Sequence, residues 1–151
     1  VMAGRLPYTG GFGALNTKDF EAVNEAIGLM KVDDIKDKDF NALSDGQKQR
    51  ILIARAIAQE PGYLIMDEPT SYLDIRYKLE LMDTVKELSD RGVTVIMSIH
   101  EPELALRVSD QILLINERGG ASDKTPGEII NEGLIRELYG MNRRVSAVFT
   151  P

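Results

Sequence analysis

Two short apolar runs flank one amphipathic stretch in the middle of this 151-residue chain, and that order restricts the fold more than any other feature. The first run, YLIM (Tyr63 to Met66), ends on Asp67-Glu68; the second, VTVIMS (Val93 to Ser98), ends on Ile99-His100. Between them, from about Ile75 to Asp90, Ile75, Leu79, Met82, Val85 and Leu88 share one face of a helix, and Gly92 stands where a left-handed C-cap belongs. Strand, helix, strand in that order joins through a right-handed crossover, which makes the two strands parallel. Unbroken apolar runs further predict strands covered on both faces. Ligands of such sheets sit beyond the carboxyl ends of the strands, so Asp67, Glu68 and the Ser98-Ile99-His100 turn are expected at one edge.

The remaining elements follow from caps and breakers. Asn16 or Thr17 can cap a helix to about Lys31, with Phe20, Val23, Ile27 and Met30 on one face. After the charged connector KVDDIKDKDF, Ser44 opens a helix that Pro61-Gly62 ends. A short helix over Pro102 to Val108 precedes a strand, QILLIN, and the tail from Ala121 holds helical pieces near Pro126 to Asn131 and Leu134 to Tyr139. From Val1 to Thr17 the chain is irregular and Gly-rich and reads as a surface loop. Its TGGFGALNT stretch lacks the preceding strand and the Gly-Lys-Ser/Thr ending of a phosphate cradle, since Lys18 is followed by Asp19.

Composition removes several chemistries. The chain has no cysteine and one histidine, which excludes disulfides, thiolate metal sites and a His-rich zinc site, and makes a cytosolic setting the expected one. A net charge of −6 argues against nucleic-acid partners, whose binding needs many Lys and Arg on phosphates. No apolar run approaches the roughly 20 residues of a membrane-spanning helix, so any work at a membrane goes through a partner.

Four local patterns each admit two readings. In LSDGQ, Ser44 and Gln47 have the spacing of a capping box. The same turn also offers backbone N–H groups, a hydroxyl and a helix dipole to an anion, with Gly46 leaving room for a phosphate. In YLIMDEP, Asp67 and Glu68 are either two solvated acids or a divided pair, because adjacent strand residues point to opposite faces. One acid would then hold Mg²⁺ and the other would orient or deprotonate water. His100 is either structural or a ligand at that same edge. SYLD, Ser71 to Asp74, is the turn and N-cap before the next helix, with or without a further role.

Order and spacing together resemble the ATP-binding cassette (ABC) ATPases. LSDGQKQR is similar to that family's signature motif, YLIMDEP to its Walker B element with the catalytic acid, SYLD to its D-loop, and His100 to its switch histidine. The resemblance implies an α/β fold of the P-loop NTPase kind, with a parallel-sheet core, a helical subdomain and a small C-terminal α/β tail. It implies residues 1–60 as the helical subdomain with the signature motif, and 61–151 as the C-terminal part of the RecA-like catalytic core. It also implies ATP and Mg²⁺, with Glu68 and His100 catalytic, Asp67 on the metal, and Ser44, Gly46, Gln47 and Asp74 contacting nucleotide. In the family two ATPase domains sandwich two ATPs, so the signature turn would serve the partner's nucleotide while Asp67, Glu68 and His100 serve their own. The implied partners are a second ATPase subunit, as a homodimer, and a membrane permease, placing the protein at the inner face of the cell membrane. Asp45 departs from the pattern, since it stands where the family usually has a second glycine.

The stretches GRLPY, GFGALNTKDFEAVNEAI and TPGEIINEGLIRELYG resemble the branch serving importers of iron complexes, haem or cobalamin. No Gly-x-x-x-x-Gly-Lys-Ser/Thr occurs in the 151 residues, so a fragment lacking the N-terminal Walker A portion is expected, inactive alone and prone to oligomerise through exposed strand edges. Two alternatives stand beside the importer reading: a soluble ABC ATPase acting on ribosomes or chromosomes, and a non-catalytic dimerising module.

Overall fold

The computed structural model describes residues 1–9, 14–115 and 120–132. It forms two compact units, Val1–His100 and Glu101–Pro151.

In the first unit, Met2–Tyr8 winds into a 3₁₀ helix, where a surface loop was expected. The reason is Arg5, which is buried, donates from Nε to Asp19 at 2.8 Å, and reaches the Ala58 carbonyl at 3.0 Å and Glu60 at 2.7 Å. Its guanidinium also lies 4.2 Å from the centre of the Tyr8 ring. Gly4 lets this turn press on the next layer: a Cβ there would sit 2.3 Å from the carbonyl oxygen of Arg55. Gly4→Ala should therefore cost about 1–3 kcal/mol of stability in urea unfolding, because backbone has to move to admit the methyl.

Helix α1 (Thr17–Leu29) starts at Asn16, whose side chain accepts from Lys18 and Asp19 N–H while the Asp19 carboxylate accepts from Asn16 N–H. Val23, Ile27 and Met30 are buried as the periodicity predicts, but Phe20 stays 46% exposed. Helix α2 (Asp45–Ile57) packs beside α1 and contributes Ile53, Ala54 and Ile57 to the core.

Strand β1 (Tyr63–Met66) runs parallel to β2 (Thr94–Met97), with Tyr63 opposite Thr94 and Met66 opposite Met97. The crossover between them is α3 (Ile75–Asp90), which packs on β2 and buries Leu81, Met82, Val85 and Leu88. Ile75 belongs to the predicted stripe yet is 69% exposed, at the first position of the helix. Gly92, at φ +91°, turns the chain out of α3, with Val93 N–H closing back on the Leu88 carbonyl. Burial of both strand faces does not hold. Leu64 is buried, whereas Tyr63 and Ile65 are each 75% exposed and Ile96 is 54% exposed, so among the described residues one face of this pair stays uncovered.

The second unit holds α4 (Pro102–Val108), β3 (Ile112–Ile115), β4 (Ala121–Lys124) and α5 (Pro126–Glu132). Here β3 pairs antiparallel with β4 in a sheet of its own. The sequence ASDK carries none of the β-branched or aromatic residues that advertise a strand, which is why β4 was missed. Thr125 and Glu128 close a reciprocal cap on α5, with Glu128 accepting from Thr125 N–H at 2.7 Å. The predicted piece Leu134 to Tyr139, the RRVSAVFTP end and Gly10 to Gly13 lie outside the described residues.

Candidate ATPase site

Where β1 leaves the sheet, the chain turns sharply at Glu68, which has φ +44°. Non-glycine residues rarely adopt this left-handed conformation, so the surroundings must hold it. Four hydrogen bonds do so. Glu68 N–H donates to Ser98 Oγ at 2.8 Å, and its carbonyl accepts from Ser71 N–H at 3.2 Å. Its carboxylate accepts from the Ser71 hydroxyl at 2.9 Å on Oε2 and meets His100 Nε2 at 2.6 Å on Oε1. The Ser98 hydroxyl in turn donates to Asp67 Oδ1 at 2.5 Å. The two neighbouring carboxylates are thereby directed to different partners.

His100, then the Ser71 hydroxyl, hold the Glu68 carboxyl below the usual carboxylate range; partial desolvation and the Asp67 charge oppose them without prevailing. An ionised carboxylate only accepts, so the shared proton lies on Nε2 of His100. Glu68 is thus charged at neutral pH, and the contacts that keep it so also make it a weaker base than a free carboxylate. Its side chain remains 46% exposed and that of His100 75% exposed, which leaves both within reach of a ligand.

A second cluster forms at the starts of α2 and α3. Ser44 Oγ accepts from Gln47 N–H at 3.3 Å and Gln47 Oε1 accepts from Ser44 N–H at 3.0 Å, which completes the capping box. Asp45, the departing residue, turns towards Lys48 at 3.6 Å with its side chain 75% exposed. Asp74 caps α3 by accepting from Tyr77 N–H at 3.1 Å. Both helix starts line one open cavity of about 470 Å³, with Ser44, Gly46, Gln47, Tyr72, Asp74 and Tyr77 in its walls. Arg50 backs it, buried, with its guanidinium 3.9 Å from the Tyr77 ring centre and Nη1 donating to the Lys31 carbonyl.

Gly46 proves to have a protein neighbour. A Cβ there would lie 2.7 Å from the Tyr72 carbonyl oxygen, so a glycine is what lets the segment 71–74 close on the start of α2. Gly46→Ala is expected to destabilise by about 1–3 kcal/mol in chemical unfolding, by forcing these two backbones apart. The segment thus joins the clusters: Ser71 binds Glu68 and Tyr72 abuts Gly46. Asp67, Glu68 and His100 come together as expected, and Ser44, Gly46, Gln47 and Asp74 form the other group. From sequence, Ser98 was placed only within the turn at the sheet edge, and Ser71 and Tyr72 only within SYLD, none with a role of its own, although in-register pairing of Met66 with Met97 sets Ser98 opposite Asp67.

Among the described residues no group of three or more His, Cys, Asp or Glu forms a metal cage. Asp67 has one oxygen bound by Ser98 and a second left over, which suits Mg²⁺, an ion held by one or two carboxylates, water and substrate phosphates.

Parallel strand tips bearing two acids and a histidine stand near a capped helix start, and the fold is that of part of an ABC ATPase cassette. Residues 10–71 match the sequence model of the family described as ABC transporter. It is 37% identical over 142 residues to an uncharacterized ABC transporter ATP-binding protein of Methanocaldococcus jannaschii, covering 93% of this chain and 49% of the relative. It is 33% identical over 155 residues to a hemin import ATP-binding protein of Burkholderia thailandensis, covering 96% and 57%. Its structure superposes on a metal-chelate type ABC transporter in an inward-facing conformation with a TM-score of 0.80 and 26% identity, over 93% of this chain and 56% of that one. The chain spans about half the length of the curated relatives it matches.

Proposed function

We propose that these residues form part of the ATP-hydrolysing subunit of an ABC importer for iron complexes such as siderophores or haem. The observation that carries this reading is the convergence of Asp67, Glu68 and His100 at the carboxyl ends of two adjacent parallel strands. One of the similar proteins is named for hemin import, and a similar solved structure is named as a metal-chelate type ABC transporter. Among the described residues no helix is long and apolar enough to cross a membrane. In this reading coupling to transport goes through a membrane permease, with residues 1–60 as the helical subdomain that faces it. A second ATPase subunit is the other partner.

In this reading Glu68, ionised and held by His100 and Ser71, accepts a proton from the water that attacks the terminal phosphate in line. Asp67 holds Mg²⁺. When bound, the metal neutralises charge that builds on the phosphate oxygens. Ser44, Gly46 and Gln47 meet the nucleotide of the partner subunit through the start of α2, where N–H groups and the helix dipole favour anions; Asp74 borders the same cavity.

No phosphate-cradling loop occurs within the 151 residues, so the reading needs one from outside them. Residues 1–151 by themselves should show no turnover of ATP; phosphate release that Glu68→Gln abolishes would overturn this. In the full-length protein, Asp67→Asn should weaken Mg²⁺-dependent ATP binding by at least the roughly 10- to 100-fold that loss of an outer metal partner costs. Titration of ATP with and without Mg²⁺ is the measurement, and unchanged affinity removes Asp67 from the metal. Co-purification with a membrane permease separates the importer from a ribosome- or chromosome-associated ATPase.

A further inference from the structure

We propose that Ser98 is a positioning residue of the hydrolytic site, whose hydroxyl fastens the Asp67 side chain and the Glu68 main chain at once. The inference rests on the ATPase reading above and extends it to a residue which that reading does not use.

Ser98 is itself fixed by the sheet, since its N–H donates to the Met66 carbonyl at 3.1 Å, one step beyond the last paired residues of β1 and β2. From that anchored position the hydroxyl uses its one proton on Asp67 Oδ1 at 2.5 Å and a lone pair on Glu68 N–H at 2.8 Å. Donor, hydroxyl and carboxylate lie in series, so each bond polarises the next. Among residues of this size, serine and threonine alone both give and accept in this way. Ser98 thus links the tip of β2 to two consecutive residues of β1.

The consequence lies in the left-handed turn at Glu68. Its N–H points to β2 because Ser98 Oγ receives it there. Without that acceptor the turn loses a restraint, φ relaxes towards the ordinary negative range, and the carboxylate swings away from His100 and Ser71. Asp67 loses a partner in the same event. Ser98 lies exposed at the sheet edge, so its loss disturbs the site and not the core. Asp67 keeps its charge and its second carboxylate oxygen, so nucleotide binding falls less than hydrolysis does.

The test compares Ser98→Ala, Ser98→Thr and Glu68→Gln in the full-length protein. Ser98→Ala should lower kcat by about 10- to 100-fold, the usual effect of removing an outer-shell partner, with KM for ATP within about threefold of the parent. Ser98→Thr, which keeps the hydroxyl, should restore kcat to within about threefold. Hydrogen exchange at the Glu68 amide should accelerate in the alanine variant and return to its slow value in the threonine variant. A wild-type kcat for Ser98→Ala beside an inactive Glu68→Gln overturns the role of Ser98 and leaves the ATPase reading standing. Wild-type turnover for Glu68→Gln overturns the ATPase reading instead. In that event unchanged Glu68 amide protection in Ser98→Ala would still sink the clamp. Failure of threonine to rescue, or a KM that rises in step with the loss of kcat, also counts against it.

Discussion

Glu68→Gln is expected to lower ATP hydrolysis by about 10²- to 10⁴-fold, the usual contribution of a positioned general base, while ATP affinity stays within about threefold. Glutamine keeps the shape and both contacts: its amide oxygen can still accept the His100 Nε2 proton seen at 2.6 Å, and its other end stays close to the Ser71 hydroxyl at 2.9 Å. What it loses is the negative charge and the ability to take a proton. Asp67→Asn acts on the neighbouring function, because Asp67 is held by Ser98 and directed away from His100. Single-turnover hydrolysis together with Mg²⁺-dependent ATP binding in the full-length protein separates the two. Equal losses of binding and hydrolysis from both substitutions would undo the division of labour between these acids. Undiminished single-turnover hydrolysis by Glu68→Gln would remove the base altogether.

The parts of this architecture that were legible in the sequence are those governed by local rules. The crossover helix has the predicted bounds because its stripe, its Asp74 cap and Gly92 agree with one another. Strand β1 runs from Tyr63 to Met66 for the same reason, bounded by Pro61-Gly62 on one side and two acids on the other. What failed depends on distant partners. An apolar run does not reveal which of its faces receives a neighbour, and Ile65 and Ile96 stand exposed. Likewise the pairing of β3 with β4 brings in ASDK, a segment without strand propensity that is recruited by the hairpin. At the site, the acids and histidine were visible as residue types that perform chemistry. Ser98 was not, because a serine at a strand end acquires meaning only once the register shows it facing Asp67. Gly46 was read as space for a phosphate, and the structure shows the Tyr72 carbonyl at the position its side chain would take.

The largest loss of stability is expected from Arg5→Met, which should lower the thermal midpoint by roughly 10 °C or more, as breaking a buried ion pair in a domain of this size does. The side chains of Arg5 and Asp19 are only 7% and 1% exposed, so removing the guanidinium leaves a carboxylate that water cannot reach. The same substitution releases the Ala58 carbonyl and Glu60, and with them the anchorage of the N-terminal turn on the end of α2. The pH dependence identifies the cause. The Asn16 N–H, then Arg5, hold the Asp19 carboxyl below its usual range against the opposing effect of burial. A carboxyl depressed in the folded state contributes stability that is present above its unfolded value, near 3.9, and is lost as pH falls through the lower folded value. The advantage of the parent over Arg5→Met should accordingly be full at neutral pH and shrink on acidification, once Asp19 takes up its proton and the pair ceases to exist. Adding Asp19→Asn to Arg5→Met should recover part of the loss at neutral pH, because an amide in place of the stranded carboxylate leaves no buried charge. Urea midpoints for the parent, the single and the double variant between pH 7 and pH 3 make the measurement. A constant gap across that range, with no gain from the second substitution, would show that Arg5 acts through packing on Tyr8 and α2 and that its charge contributes nothing.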